Sequence, residues 1–221
     1  MTELLDFFKT RKQAMVDLLT EMVNYESFSH AKADVDKLAQ FMATTCREFG
    51  ADSVEVLPQT KVGDFVLAKW NPDAAGKPIL MMGHLDTVWK IGTLADRPVT
   101  INEDGILFGP GAVDMKGGNT IALSAIKGLV DRNALPERPI WVFFNTDEEI
   151  GSKASKSMIE SLAQDAGLVI VMEPPTPDGA LKTRRKGVAS YRVRVHGRSS
   201  HAGNAPEEGL NAIIELARQA L

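Results

Sequence analysis

Cysteine is nearly absent: Cys46 is the single one in 221 residues, so no intrachain disulfide can form and nothing marks an oxidising compartment. Long apolar runs are missing too. Ile79 to Met82 and Trp141 to Phe144 are far too short to span a bilayer, and the opening MTELLDFFKTRKQ holds no apolar stretch of signal-peptide length. Basic residues do not predominate. Lys and Arg number 25 against 29 Asp and Glu, a formal charge of −4, with no basic stripe of the kind that tracks nucleic acid. The short cluster Lys182, Arg184, Arg185 and Lys186 reads as a solvated loop. Low-complexity tracts and internal repeats are also lacking, while 44% hydrophobic residues suffice for one good core and the start of a second. The expectation is a cytoplasmic protein with no membrane and no nucleic-acid partner.

The chain opens with helical patterns. Leu4, Leu5, Phe8, Met15, Leu18, Leu19, Met22 and Val23 recur at helical spacing, and a second run from about Asp34 to Phe49 stops at Gly50. Ser53 to Leu57 and Phe65 to Trp70 alternate like strands. Ile79 to Met82, Ile140 to Phe144 and Leu168 to Met172 are short continuous apolar runs, the signature of strands buried on both faces. Apolar helices, about Asn119 to Val130 and Lys153 to Ala163, fall between them. This alternation predicts an α/β fold, a mostly parallel sheet sandwiched by helices. Pro98 to Phe108, with Asn102-Glu-Asp-Gly at its tip, reads as a hairpin. After a Pro/Gly loop at 174–179 the texture changes. Gly187 to His196 alternates as a strand and a helix follows from about Glu207. The predicted organisation is a metal-binding domain over 1–186 and the start of a second domain over 187–221.

Each of the three apolar strands ends in groups able to hold a metal. They are His84 and Asp86 after the first, Asp147, Glu148 and Glu149 after the second, and Glu173 after the third. In open α/β sheets ligands bind outside the carboxyl ends of strands, so these groups should converge. A fourth segment, Gly109 to Gly118, turns sharply into a helix and delivers Asp114. Carboxylates crowded into one space repel and raise one another's pKa values, and two divalent cations relieve that. Histidine and carboxylate donors without thiolates suit zinc, and less selectively cobalt or manganese. Taken singly, each piece has a structural reading: Glu148-Glu149 as a solvated loop, Asp114 as a helix cap, Glu173 as surface. Order, spacing and strand-end placement together favour the metal site. The glycines around Asp114 do not form a phosphate loop, because no Gly-Lys-Ser/Thr follows.

In GHLDTV at 83–88, GPGAVDMKGGN at 109–119, FFNTDEEIGS at 143–152, MEP at 172–174 and GRSSHAG at 197–203, the chain resembles the zinc exopeptidases and deacylases. That family includes carboxypeptidase G, acetylornithine deacetylase and succinyl-diaminopimelate desuccinylase, and FNTDEEIGS and SSHAGNAPEEGLNA are most similar to carboxypeptidase G. The resemblance implies two zinc ions: His84 and Glu173 on one, Glu149 on the other, Asp114 bridging both with a cis peptide to Met115. It implies that Asp86 orients His84 and that Glu148 is the general base, taking a proton from water and handing it to the leaving amine. His201, on the second domain and in family members often from a partner subunit, would stabilise the oxyanion. The second domain would then be a dimerisation (lid) domain, present only in part, and the full-length protein a homodimer. The implied substrate is a small N-acyl amino acid or peptide, with glutamate released.

Two alternatives stay open at this point. A deacetylase or dipeptidase of the same family shares the metal motifs. A metal-stabilised binding or dimerisation fragment without activity is a different class of reading. The family pattern includes a late histidine ligand and returning strands with no counterpart in these 221 residues. The expectation is therefore that the Glu149 site binds its ion loosely and that these residues alone are not a competent enzyme.

Overall fold

The computed structural model describes residues 2–184 and 186–220; Arg185 of the basic cluster lies outside them. The chain divides into two compact units, Met1–Pro175 and Thr176–Leu221.

In the first unit the opening apolar pattern forms two helices, α1 (Thr2–Thr10) and α2 (Lys12–Asn24), because Arg11 leaves helical geometry at φ −103°, ψ 5°. Then comes α3 (Lys32–Glu48), after which Gly50 takes the left-handed φ of +84° that a side chain would disfavour. Next are β1 (Ser53–Leu57), β2 (Phe65–Trp70), β3 (Ile79–His84) and the short α4 (Thr93–Asp96). The predicted hairpin is present but small, pairing β4 (Thr100–Ile101) with β5 (Leu107–Phe108). After it come α5 (Gly117–Asp131), β6 (Ile140–Asn145), α6 (Lys156–Asp165) and β7 (Leu168–Val171).

The main sheet has the order β1-β2-β6-β3-β7. The three strands that carry the candidate site, β6, β3 and β7, are parallel as expected. β2 pairs antiparallel with both β1 and β6, so the sheet as a whole is mixed. Period-two alternation sorts the strand residues onto two cores. Val66, Ala68 and Trp70 of β2 and Ile140, Val142 and Phe144 of β6 pack with α2, α3 and α5 through Met22, Leu38, Met42, Cys46, Leu123 and Ile126. Phe65, Leu67, Leu80 and Phe143 point the other way, onto Leu162 of α6. Helices therefore cover both faces, as a sandwich requires. Cys46 packs within the first core, and burial pushes its thiol up to about 12, which makes it an inert apolar group. No helix among the described residues is long and apolar enough to cross a membrane.

Three expectations need correcting. β7, predicted to be buried on both faces, is 37–56% exposed along its length. It is an edge strand, with β3 as its one paired neighbour among the described residues. Gly187–His196 is not a strand; the segment is irregular and Val188 is 96% exposed. Alternation alone does not make a strand where no described strand offers a ladder partner. The helix expected from about Glu207 is split into a single turn at Pro206–Glu208 and α7 (Ala212–Ala220). The latter is capped by Asn211, whose side-chain oxygen accepts the Ile213 and Ile214 amides at 2.9 and 3.1 Å.

Phe143 is fully buried in the second core and meets Phe65 edge to face at 5.8 Å. Truncation to alanine should cost about 3–5 kcal/mol through lost burial and the cavity left behind. Denaturant unfolding of Phe143→Ala checks this, and an unchanged midpoint would contradict the placement of this core.

Candidate metal centre

β3 and β6 run parallel with His84 level with Asn145. The segments leaving their carboxyl ends therefore start side by side. On the other flank Met82 pairs with Val171 and accepts the Met172 amide at 2.9 Å, which brings Glu173 to the same end of the sheet. Asp114 arrives from the turn before α5. That turn begins at Gly111 with φ +71°, and the Asp114–Met115 peptide is cis, as the resemblance implies. α5 is fastened to β3 by Asn119, whose amide donates to the His84 carbonyl at 2.8 Å. This approach needs the glycine before His84, because a Cβ on Gly83 would lie 2.0 Å from the Asn119 side-chain oxygen.

The His84 ring is buried and sits at the middle of the acidic groups. Its Nε2 lies 3.0 Å from Asp114 Oδ1, 3.6 Å from Glu173 Oε1 and 4.0 Å from Glu148 Oε2. Its Nδ1 faces the Asp86 main-chain carbonyl at 2.9 Å and Asp86 Oδ1 at 3.5 Å. Two donor groups result: His84, Glu148 and Glu173, and His84, Asp114 and Glu149, each with its ligand atoms within 4.8 Å of one another. The first unit thus brings together six of the seven predicted site residues. The seventh, His201, belongs to the second unit, where its Nδ1 accepts the amides of Gly203 and Asn204 at 3.1 and 3.0 Å.

Asp86 is buried and works as a hub. Its carboxylate accepts the main-chain amides of Glu148 and Glu149, both at 3.2 Å, and the Ser29 hydroxyl at 2.8 Å. Asp147, also buried, accepts the amides of Ala154 and Ser155 at 2.7 and 3.3 Å and so closes the loop that presents Glu148 and Glu149. Lys116 is buried and donates to the Tyr25 carbonyl at 2.8 Å; burial holds its amine down to about 7. Asp147, grouped by the sequence with the metal-competent strand ends, belongs to neither donor group and ties the loop instead. Sequence reasoning does not single out Ser29, Asn119 or Lys116. Asn119 and Lys116 lie inside the recognised motifs, where their place beside a ligand is a signal. Ser29 lies 57 residues before Asp86, and no local pattern announces it.

The electrostatics are those of a site built for cations. Burial raises the Glu148 carboxyl; His84 opposes that rise, and Glu173, Asp86 and Asp114 add to it. Burial and then Asp114 raise Glu149, against His84. Among the described residues no lysine or arginine forms an ion pair with Asp114, Glu148 or Glu149. One imidazole and several oxygen donors without a thiolate fit divalent zinc, cobalt or manganese.

Residues 80–221 match the model of peptidase family M20/M25/M40. The chain belongs to this family. It is 34% identical to carboxypeptidase G2 of Pseudomonas sp. over 208 residues, covering 91% of this chain and 49% of that protein. With acetylornithine deacetylase of Erwinia tasmaniensis it shares 29% identity over 222 residues, 96% of this chain and 55% of the other. A tripeptidase structure from Staphylococcus aureus superposes with a TM-score of 0.69 at 18% identity, over 93% of this chain and 55% of that one, a likeness of fold. The chain spans about half the length of the curated relatives it matches. Membership in the M20/M25/M40 family and the His84-centred donor groups agree on a metal-dependent site.

Burial disfavours a charge on His84, yet the neighbouring carboxylates of Asp86 and Glu173 outweigh it and push the imidazole up to about 11. The surrounding carboxylates thus favour a proton on the ring without metal, and a metal ion bound at Nε2 would have to displace it. Zinc affinity should weaken as the pH falls, by up to ~tenfold per pH unit below that value. Competition titrations about one pH unit apart near neutrality check this. An affinity that does not move with pH would count against a proton on His84.

Proposed function

We propose that this chain carries the metal-binding unit of a two-zinc amidohydrolase that cleaves the amide bond to a C-terminal amino acid, glutamate above all. The observation that carries the reading is the convergence of Asp114, Glu148, Glu149 and Glu173 on one buried imidazole. His84 and Glu173 would hold one ion and Glu149 the other, with Asp114 within reach of both, and cobalt or manganese would be workable substitutes. When bound, such ions supply Lewis acidity for the scissile carbonyl and lower the pKa of the attacking water.

The chain's own residues do the rest. Asp86 fixes the tautomer and direction of His84 from behind, so that Nε2 keeps its lone pair for the ligand position. Glu148 has a half-exposed side chain whose pKa is raised by burial, opposed by His84 and reinforced by neighbouring carboxylates. A carboxylate tuned upward takes a proton from water and returns it to the leaving amine more readily than an ordinary one. His201, in a second unit that we assign from about residue 187 to a dimerisation (lid) domain, donates to the oxyanion from a partner subunit of a homodimer.

Glutamate as the released residue is supported by the similarity to carboxypeptidase G2 and by the FNTDEEIGS and SSHAGNAPEEGLNA segments. Deacetylation of an N-acyl amino acid is the second reading, favoured by the similarity to acetylornithine deacetylase. A cytoplasmic setting, reached by small-molecule substrates, completes the proposal.

In the full-length protein Glu148→Gln should keep its metal content and lose ~10²–10⁴-fold in kcat, the usual contribution of a positioned base. Metal analysis together with turnover of N-acyl-glutamate and N-acetylornithine tests both the role and the substrate class. Near-normal turnover of the Gln variant would remove Glu148 from the mechanism, and preference for N-acetylornithine would replace the glutamate reading.

A further inference from the structure

Between α2 and α3 the chain runs as a short strap, Tyr25 to Ser29, along the segment that follows β3. Lys116 donates to the Tyr25 carbonyl at 2.8 Å. The Ser27 carbonyl accepts the Thr87 amide at 2.7 Å, and the Ser29 amide donates to the Thr87 carbonyl at 3.1 Å. The Ser29 hydroxyl has two acceptors in reach, Asp86 Oδ2 at 2.8 Å and the Thr87 carbonyl at 3.2 Å. The carboxylate oxygen is the nearer, so it accepts the hydroxyl hydrogen.

This is the shortest hydrogen bond that Asp86 receives. Among the described residues, the remaining donors to its carboxylate are the two amides at 3.2 Å, from the loop that bears Glu148 and Glu149, and His84 Nδ1 stands 3.5 Å from Oδ1. A buried carboxylate that loses its best donor is left under-satisfied and less firmly fixed. Without Ser29, Oδ2 keeps only the Glu149 amide among the described donors, and the carboxylate whose Oδ1 backs the imidazole loses its firmest anchor. Resting on the metal-centre reading above, we propose that Ser29 is a positioning residue of the site: it sets the angle of Asp86, and through Asp86 the direction of the His84 ring. The metal-facing Nε2 is thereby aimed from a strap that contributes no ligand of its own.

Ser27 supplies the control. It is as buried as Ser29, at 1% against 2% exposure, and sits on the same strap, but its hydroxyl finds no partner among the described residues. A packing role would make the two serines equivalent. In zinc competition titrations Ser29→Ala should weaken binding ~tenfold, the lower end for partners of a metal-bound histidine, and Ser27→Ala should change it less than ~twofold. Ser29→Thr, which keeps the hydroxyl, should recover most of the loss. Nitrogen-15 spectra of the metal-free protein give a second readout: the His84 ring resonances should move in Ser29→Ala and stay in Ser27→Ala. Equal behaviour of the two alanine variants in both measurements overturns the proposal. If wild type takes up no zinc, the metal-centre reading fails, and the metal-free spectra still decide whether Ser29 governs His84.

Discussion

β3 and β6 pair in parallel with His84 level with Asn145, and the chemistry of this chain depends on that alignment. A slip of one residue would turn every side chain of β3 to the opposite face. Leu80 would leave the core it shares with Phe143 and Leu162, and His84 would leave the acids that surround it. The apolar alternation that packs the sheet against α5 and α6 therefore sets the register of the site as well. A metal site around a buried histidine and a hydrophobic core are here two results of one pairing.

Crowding of acids is the second constraint. Four carboxylates around one imidazole raise the energy of the metal-free state, visible in the upward shifts of Glu148 and Glu149, where burial leads and neighbouring charges follow. A proton on His84 relieves part of that repulsion. Metal ions would compete with this proton for one place, and main-chain ties to Asp86 and Asp147 hold the loop that bears Glu148 and Glu149.

Most of this was legible in the sequence, for identifiable reasons. The apolar runs at Ile79 and Ile140 mark strands because they are short, flanked by turns and separated by helical patterns. The site residues stand out because strand ends and a glycine-bounded turn deliver them. What escaped reading depends on partners distant in the chain. Val188 to Val195 alternates well, yet a strand exists only where another strand accepts its hydrogen bonds, which periodicity cannot report. β7 looks as apolar as β3 and lies at the sheet edge, a matter of strand order rather than composition. Arg11 divides one apolar stripe into two helices although the stripe itself continues. Ser29 is an ordinary serine until the fold sets it against Asp86.

The amides of Glu148 and Glu149 end on a carboxylate that is only 1% exposed, although the Glu148 side chain itself reaches solvent. Solvent deuterium can replace these two protons only when Asp86 lets go of the loop. They should exchange slowly for residues just past a strand end, at a rate set by local opening. Their exchange lifetimes would time how often the loop bearing the acids comes loose from the histidine's backing.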